Sequence, residues 1–265
     1  MDVFDEEGNY IGKDKGNEVP VIMASDGMPL RSPDDFPKTK KCIKNYYISV
    51  IIVVIATAII CGGYFWMISL IGRIMDTYNR MDIYNLDRAM KLVTYGGFAV
   101  FVAAIIRIVG LYSGRTEHNG YRDAFTFCIL GIGLSVIDTI INAVRGTDGL
   151  DFSYFSIASS ICGYIALFLA LKATSETMRR IGADDAAKFG DRVRTFMVPA
   201  LAIDIVLSVY STAGIPSDFR RSTAKMFEAL KQSVSVLAVA FFIEIVVNVL
   251  LWIAYKKAND EFSRR

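Results

Sequence analysis

The chain has 265 residues, 53% of them hydrophobic, with a formal charge of +2 and a mean hydropathy of +0.39. That is too apolar for an ordinary water-soluble domain, and the charge is too mild to point to nucleic acid. Cys42, Cys61, Cys128 and Cys162 stand apart with no CxxC spacing, so neither a zinc site nor a disulfide framework is indicated and no cofactor is expected.

Residues 1–36 hold nine acids against Lys13, Lys15 and Arg31. This is the reverse of a basic start followed by an apolar core, so no cleavable signal peptide is expected and the first apolar run serves as its own targeting signal. Residues 1–45 read as a polar tail, disordered or docked as an extended strip, punctuated by Pro20, Asp26-Gly27, Pro33 and Pro37. Lys38, Lys40, Lys41 and Lys44 then crowd against the first apolar run. They read as a topology determinant that also touches anionic lipid, with a regulatory binding segment as the sharper alternative.

Six apolar runs follow, at 47–71, 92–112, 124–144, 152–171, 196–215 and 233–255. Each is near the ~20 residues that cross ~30 Å of hydrocarbon. Lipid offers no partner to a bare peptide group, so each run must be helical. The fold class expected is therefore all-α: a polytopic membrane protein of six transmembrane helices arranged as three helical hairpins. The membrane domain spans 46–257, and 258–265 forms a short tail.

Between the runs, Asn85 is a cap candidate for a helix entering the second span. Residues 173–180 continue the fourth span, Gly182 can end it and Asp184 can cap the next. Ser217 is a cap candidate for 218–232, where Phe219, Met226, Phe227 and Leu230 share a face and suggest an interfacial helix. A weak echo relates Thr126-Phe127 and Ile137-Asp138 to Thr195-Phe196 and Ile203-Asp204, compatible with stacked hairpins.

Positive charge stays in the cytoplasm. With six spans, the side holding both termini carries sixteen basic residues near the spans and the other side nine. Both termini are therefore expected inside, in a cell membrane. Tyr46, Tyr47, Tyr112, Tyr121, Trp252 and Tyr255 would mark the inner interface, and Trp66, Tyr95, Tyr154 and Tyr210 the outer one.

Arg107 is the one basic residue inside an apolar run. At about 100° per residue, Gly96, Ala99, Ala103, Arg107 and Gly110 form one stripe of small residues, where another helix packs closely. Arg107 is thus aimed into a helix–helix contact, and Asp138, Asp204 and Glu244 are its candidate partners. In each acidic span the acid is followed four residues later by an amide or hydroxyl: Asn142, Ser208 and Asn248. That spacing sets both groups on one side of a helix, able to hold a shared object. A charge at mid-bilayer costs about 3 kcal/mol, so pairing is expected. One cation against three acids leaves two carboxylates to be protonated, to meet water or to bind a cation.

His118 is the only histidine and cannot alone supply a haem pair, a zinc triad or a serine relay. Pro199-Ala200-Leu201 resembles a motif of aspartyl intramembrane proteases, but Asp138 follows Ser135-Val136-Ile137 rather than Gly-x-Gly, and the motif order is wrong. A non-enzyme is expected. The leading reading is a transport-type protein, or the membrane subunit of a transporter, with Arg107, Asp138, Asn142, Asp204, Ser208, Glu244 and Asn248 in a polar interior. The alternative is a non-catalytic accessory protein that holds a partner through its tail or helix extensions. The lipid bilayer is the certain partner, with a protein partner or a second copy of the chain open.

Overall fold

The structure, a computed structural model, describes residues 2–4, 10–13, 30–77, 80–145, 154–213 and 223–264. Among them are six helices: α1 (Pro37–Thr77), α2 (Arg80–Gly114), α3 (Asn119–Arg145), α4 (Tyr154–Arg180), α5 (Asp184–Ala213) and α6 (Thr223–Arg264). In the tail, β1 (Asp2–Phe4) pairs antiparallel with β2 (Tyr10–Lys13). A 3₁₀ turn over Pro33–Asp35, capped by Ser32, leads into α1.

Five helices are long and apolar enough to cross a membrane: α1, α2, α3, α4 and α6. The exception, α5, opens on Asp184, Asp185, Lys188, Asp191, Arg192 and Arg194, and its apolar run of 196–215 extends past the described residues. Phe98, Phe101, Ile105 and Val109 on α2, Val136 and Ile140 on α3, Val206 on α5 and Phe242 on α6 are exposed. So large an apolar belt is stable against acyl chains and not against water. The chain is a helical integral membrane protein.

Each helix packs on its neighbours in sequence, and α6 closes back onto α1. The closest pairings are α1 with α2, α1 with α6, and α3 with α4; α2 and α3 touch least. The small-residue stripe on α2 faces α1. A Cβ placed on Gly96 would lie 2.4 Å from Ile60 Cγ1 and 3.2 Å from the Ala56 carbonyl. Reciprocally, a Cβ on Gly63 of α1 would lie 2.7 Å from Val93 Cγ2. Glycine at these points lets the two backbones approach, which is how helices gain contact where lipid is as apolar as the side chains.

The main core lies at the end where α1 begins and α6 ends, here called the terminal end. There Cys42, Ile43 and Tyr46 of α1, Leu111 of α2, Tyr121 of α3, Met178 of α4, Met197 of α5 and Tyr255 of α6 are buried together. A smaller cluster of Met67, Leu70, Ala89 and Val234 ties α1, α2 and α6 at the far end.

Several boundaries differ from the sequence reading. α1 has 41 residues and α6 has 42, about 60 Å each at 1.5 Å per residue, twice the ~30 Å of hydrocarbon. They project past the bilayer as one packed bundle. Residues 37–45, expected in a loose tail, are the first turns of α1, held because Phe36, Cys42 and Ile43 are buried. The expected C-terminal tail is instead the end of α6, with Ala258 and Phe262 buried. Asn85 caps nothing, since α2 already runs from Arg80. The expected interfacial helix and last span are one continuous helix from Thr223; Ser217 and Phe219 lie outside the described residues, as do the side chains of Met226, Phe227 and Leu230.

The α4–α5 turn follows the sequence. Gly182 adopts φ 76°, and its N–H donates to the Arg179 carbonyl at 2.9 Å while Ala183 N–H donates to Met178 at 2.8 Å. This closes α4 in the manner of a Schellman motif, which a side chain at position 182 would strain. Asp184 stands at the first helical position of α5, one residue inside the cap.

Candidate functional site

All six helices contribute to a half-open cavity of about 290 Å³, at whose rim Ile132 and Ser135 are exposed. α1 supplies Tyr46, α2 Ala104 and Arg107, α3 Gly131 and Ser135, α4 Ser159 and Tyr164, α5 Asp204, and α6 Glu244. It lies where α2 and α3 separate. Toward the terminal end Tyr46 forms its floor, stacked on Tyr255 with ring centroids 4.9 Å apart. Both rings are about 1% exposed or less, so the floor is sealed by packing.

Arg107 reaches this space because Ala103 and Gly110, one turn either side of it on the stripe, are buried against neighbouring helices. Its Nε–H donates to Ser49 Oγ on α1 at 3.0 Å, and that hydroxyl donates to the Tyr46 carbonyl at 2.9 Å. The guanidinium's Nη2 is buried and has no acceptor. The direct ion pair expected with a neighbouring span does not form: among the described residues Arg107 makes no bond to Asp138, Asp204 or Glu244. Asp204 and Glu244 instead line the cavity with it, two carboxyl groups to one guanidinium, sharing a space rather than a contact.

A second cavity of about 320 Å³ adjoins the first. Arg107, Tyr164, Leu167 and Glu244 line both. Thr57 of α1, Gly97 of α2 and Asn248 of α6 line the second alone. A guanidinium, a phenol and a carboxylate thus stand between two spaces whose remaining lining is mostly apolar.

The remaining site candidates fall differently. Asn248 is 8% exposed and its Nδ2 donates to the Glu244 backbone carbonyl at 2.9 Å. It closes a local bond on its own helix, as Ser and Thr do one turn on, and it lines the second cavity together with Glu244. Asp138 is half-buried on α3 and is not among the residues lining the cavity. The side chains of Asn142 and Ser208 lie outside the described residues. Ser49 and Tyr164 were missed by sequence reading. A signal for Ser49 existed: Ser49, Val53, Thr57 and Cys61 recur every four residues on α1 and are all buried.

A polar cluster caps the terminal end. Lys38 N–H and Thr39 N–H, the first free donors of α1, donate to the two carboxylate oxygens of Glu117 at 3.0 and 2.7 Å. A carboxylate at a helix N-terminus satisfies orphan donors and opposes the positive end of the dipole. Lys38 Nζ donates to Thr116 Oγ1 at 3.1 Å, and Arg31 N–H donates to the Arg180 carbonyl at 2.8 Å. His118 Nδ1 accepts from Gly120 N–H at 3.0 Å, while Nε2 lies 2.9 Å from Glu176 Oε2. A neutral ring with its proton on Nε2 satisfies both bonds. Burial holds this imidazole below its ordinary value, helped by Arg180 and opposed by the Glu176 carboxylate. Arg179 and Arg194 both reach Asp191, joining α4 to α5.

No family model matches the chain, and no curated protein or solved structure matches it either.

Proposed function

We propose that this membrane protein is of transport type, alone or as the membrane subunit of a transporter, and carries a small polar solute or cation through its interior without catalysing a reaction. The observation that supports this most is the cavity to which all six helices contribute, lined by Arg107, Asp204 and Glu244. Purely structural charges inside a bundle pair directly, because an unpaired ion in low dielectric is costly. Here the ions are set apart around space instead. The partition of Arg107, Tyr164 and Glu244 between two cavities suits a path that opens in stages, with Tyr46 and Tyr255 closing one end in the state observed.

Reconstituted protein tests this. Vesicle flux of protons, rubidium and radiolabelled small solutes is expected to show one species moved faster than through empty vesicles. Asp204→Asn and Glu244→Gln are expected to lower it tenfold or more, on the scale of about 1.5–3 kcal/mol for a hydrogen bond to a charged group, with helix content by circular dichroism unchanged. Flux untouched by both variants would remove the cavity acids from the mechanism.

The accessory reading has one observation of its own. α1 and α6 extend about 60 Å and project a bundle past the bilayer, with Lys40, Lys41 and Lys44 exposed. Under that reading a partner protein docks on this bundle or on residues 1–29. Deleting 1–29 spares the packed Phe36; release of the partner in a pull-down then places the contact on the tail, and retention places it on the bundle.

A further inference from the structure

We infer, resting on the reading of the central cavity as a solute site, that its ligand is a small zwitterion whose carboxylate meets Arg107 and whose ammonium group meets Asp204 and Glu244. Size sets the first limit. Pockets for drug-sized ligands run from roughly 300 to 1,000 Å³, and this one is about 290 Å³.

Charge sets the second. A guanidinium offers five N–H donors, and Arg107 uses only Nε–H, on Ser49. Its Nη2 is buried with no protein acceptor, a state that costs free energy. Arg107 lines the cavity, so an entering carboxylate meets the guanidinium from that side, in the planar form it suits best. A bare cation would bring a like charge beside Arg107. A simple anion would enter a wall that also carries Asp204 and Glu244. A molecule bearing both charges meets the guanidinium and the carboxyl groups at once. Ser135 and Ser159, bonded to each other at 2.8 Å, and Tyr164 supply the remaining polar lining, while Ala104, Ile132 and Leu167 leave room for a short apolar side chain.

Three probes of one carbon frame test this: L-alanine, isopropylamine, which replaces the carboxylate by methyl, and isobutyrate, which replaces the ammonium by methyl. Each is titrated into the purified full chain in detergent, and thermal unfolding is followed by tryptophan fluorescence. Alanine is expected to raise the unfolding temperature at a concentration at least about tenfold below either analogue, the scale of one charged hydrogen bond. In Arg107→Gln the advantage of alanine over isopropylamine disappears. In the Asp204→Asn, Glu244→Gln double variant its advantage over isobutyrate disappears. Wild-type protein alone decides the matter if a variant fails to fold: alanine no better than isopropylamine, or no response to any probe, overturns the zwitterion. Rubidium or proton flux that Asp204→Asn abolishes, without any alanine preference, overturns the zwitterion and keeps transport. An alanine preference without flux of any solute keeps the zwitterion site and removes transport.

Discussion

Gly96 shows how much one atom matters in this bundle. A Cβ there would sit 2.4 Å from Ile60 Cγ1, with the Ala56 carbonyl at 3.2 Å behind it. Gly96→Val is expected to cost about 1–3 kcal/mol, the usual penalty of overpacking. Ile60→Ala in the same chain is expected to recover part of the loss by making room. Unfolding of Gly96→Val in detergent at the wild-type temperature would show that α1 and α2 are not in the contact described. His118 makes a second residue-scale case. Its ring is neutral when it accepts from Gly120, and its folded value lies below the ordinary ~6.5. As pH falls through that ordinary value the unfolded chain takes up the proton first, so stability declines toward acid and is fully present only above it. The unfolding temperature of the wild type is expected to fall between pH 7 and pH 5 more steeply than that of His118→Gln. Parallel curves would sink the assignment. Histidine is the one side chain whose unperturbed charge changes in this range, and that the chain has a single one was legible from sequence, but the Glu176 and Gly120 contacts that fix its tautomer were not.

At the scale of elements, α1 starts where it does because another loop caps it. Glu117 lies 78 residues or more along the chain from the donors it meets. Glu117→Ala is expected to destabilise the terminal end by about 1 kcal/mol, within the 0.5–2 range of cap losses, and to speed hydrogen exchange at the first turns of α1. Unchanged exchange there would mean that the Phe36 and Cys42 packing alone holds the helix start. No local pattern announces such a tertiary cap, which is why 37–45 read as tail. The α4–α5 turn is the opposite case. Gly182 supplies its own positive φ, so the end of α4 was readable from a single residue. The span count stands between the two. Five helices carry length and apolarity plainly, whereas α5 dilutes its apolar run with Asp204 and Pro199 and opens on charge.

For the whole molecule, the terminal-end core is the part that holds six helices as one body. Phe262, 2% exposed and near the end of α6, packs with Ile43, Met178 and Tyr255 in that core. Phe262→Ala is expected to cost about 3–5 kcal/mol, as core Phe truncations do, read as a lower unfolding temperature in detergent. An unchanged unfolding temperature would show that the end of α6 is not part of that core. The sequence by itself determined that the chain lies in a membrane as helices, because hydrocarbon imposes both the length of a span and its internal hydrogen bonding. It also marked Arg107, Asp204 and Glu244, since no ion enters an apolar run by chance at so high a cost. What those ions meet was decided only by tertiary structure. Ser49 is 58 residues from Arg107, Tyr46 and Tyr255 are brought together by α6 closing on α1, and Asn248 turns back on its own backbone. Helix periodicity says which residues share a face; the order in which helices close the ring says what that face looks upon.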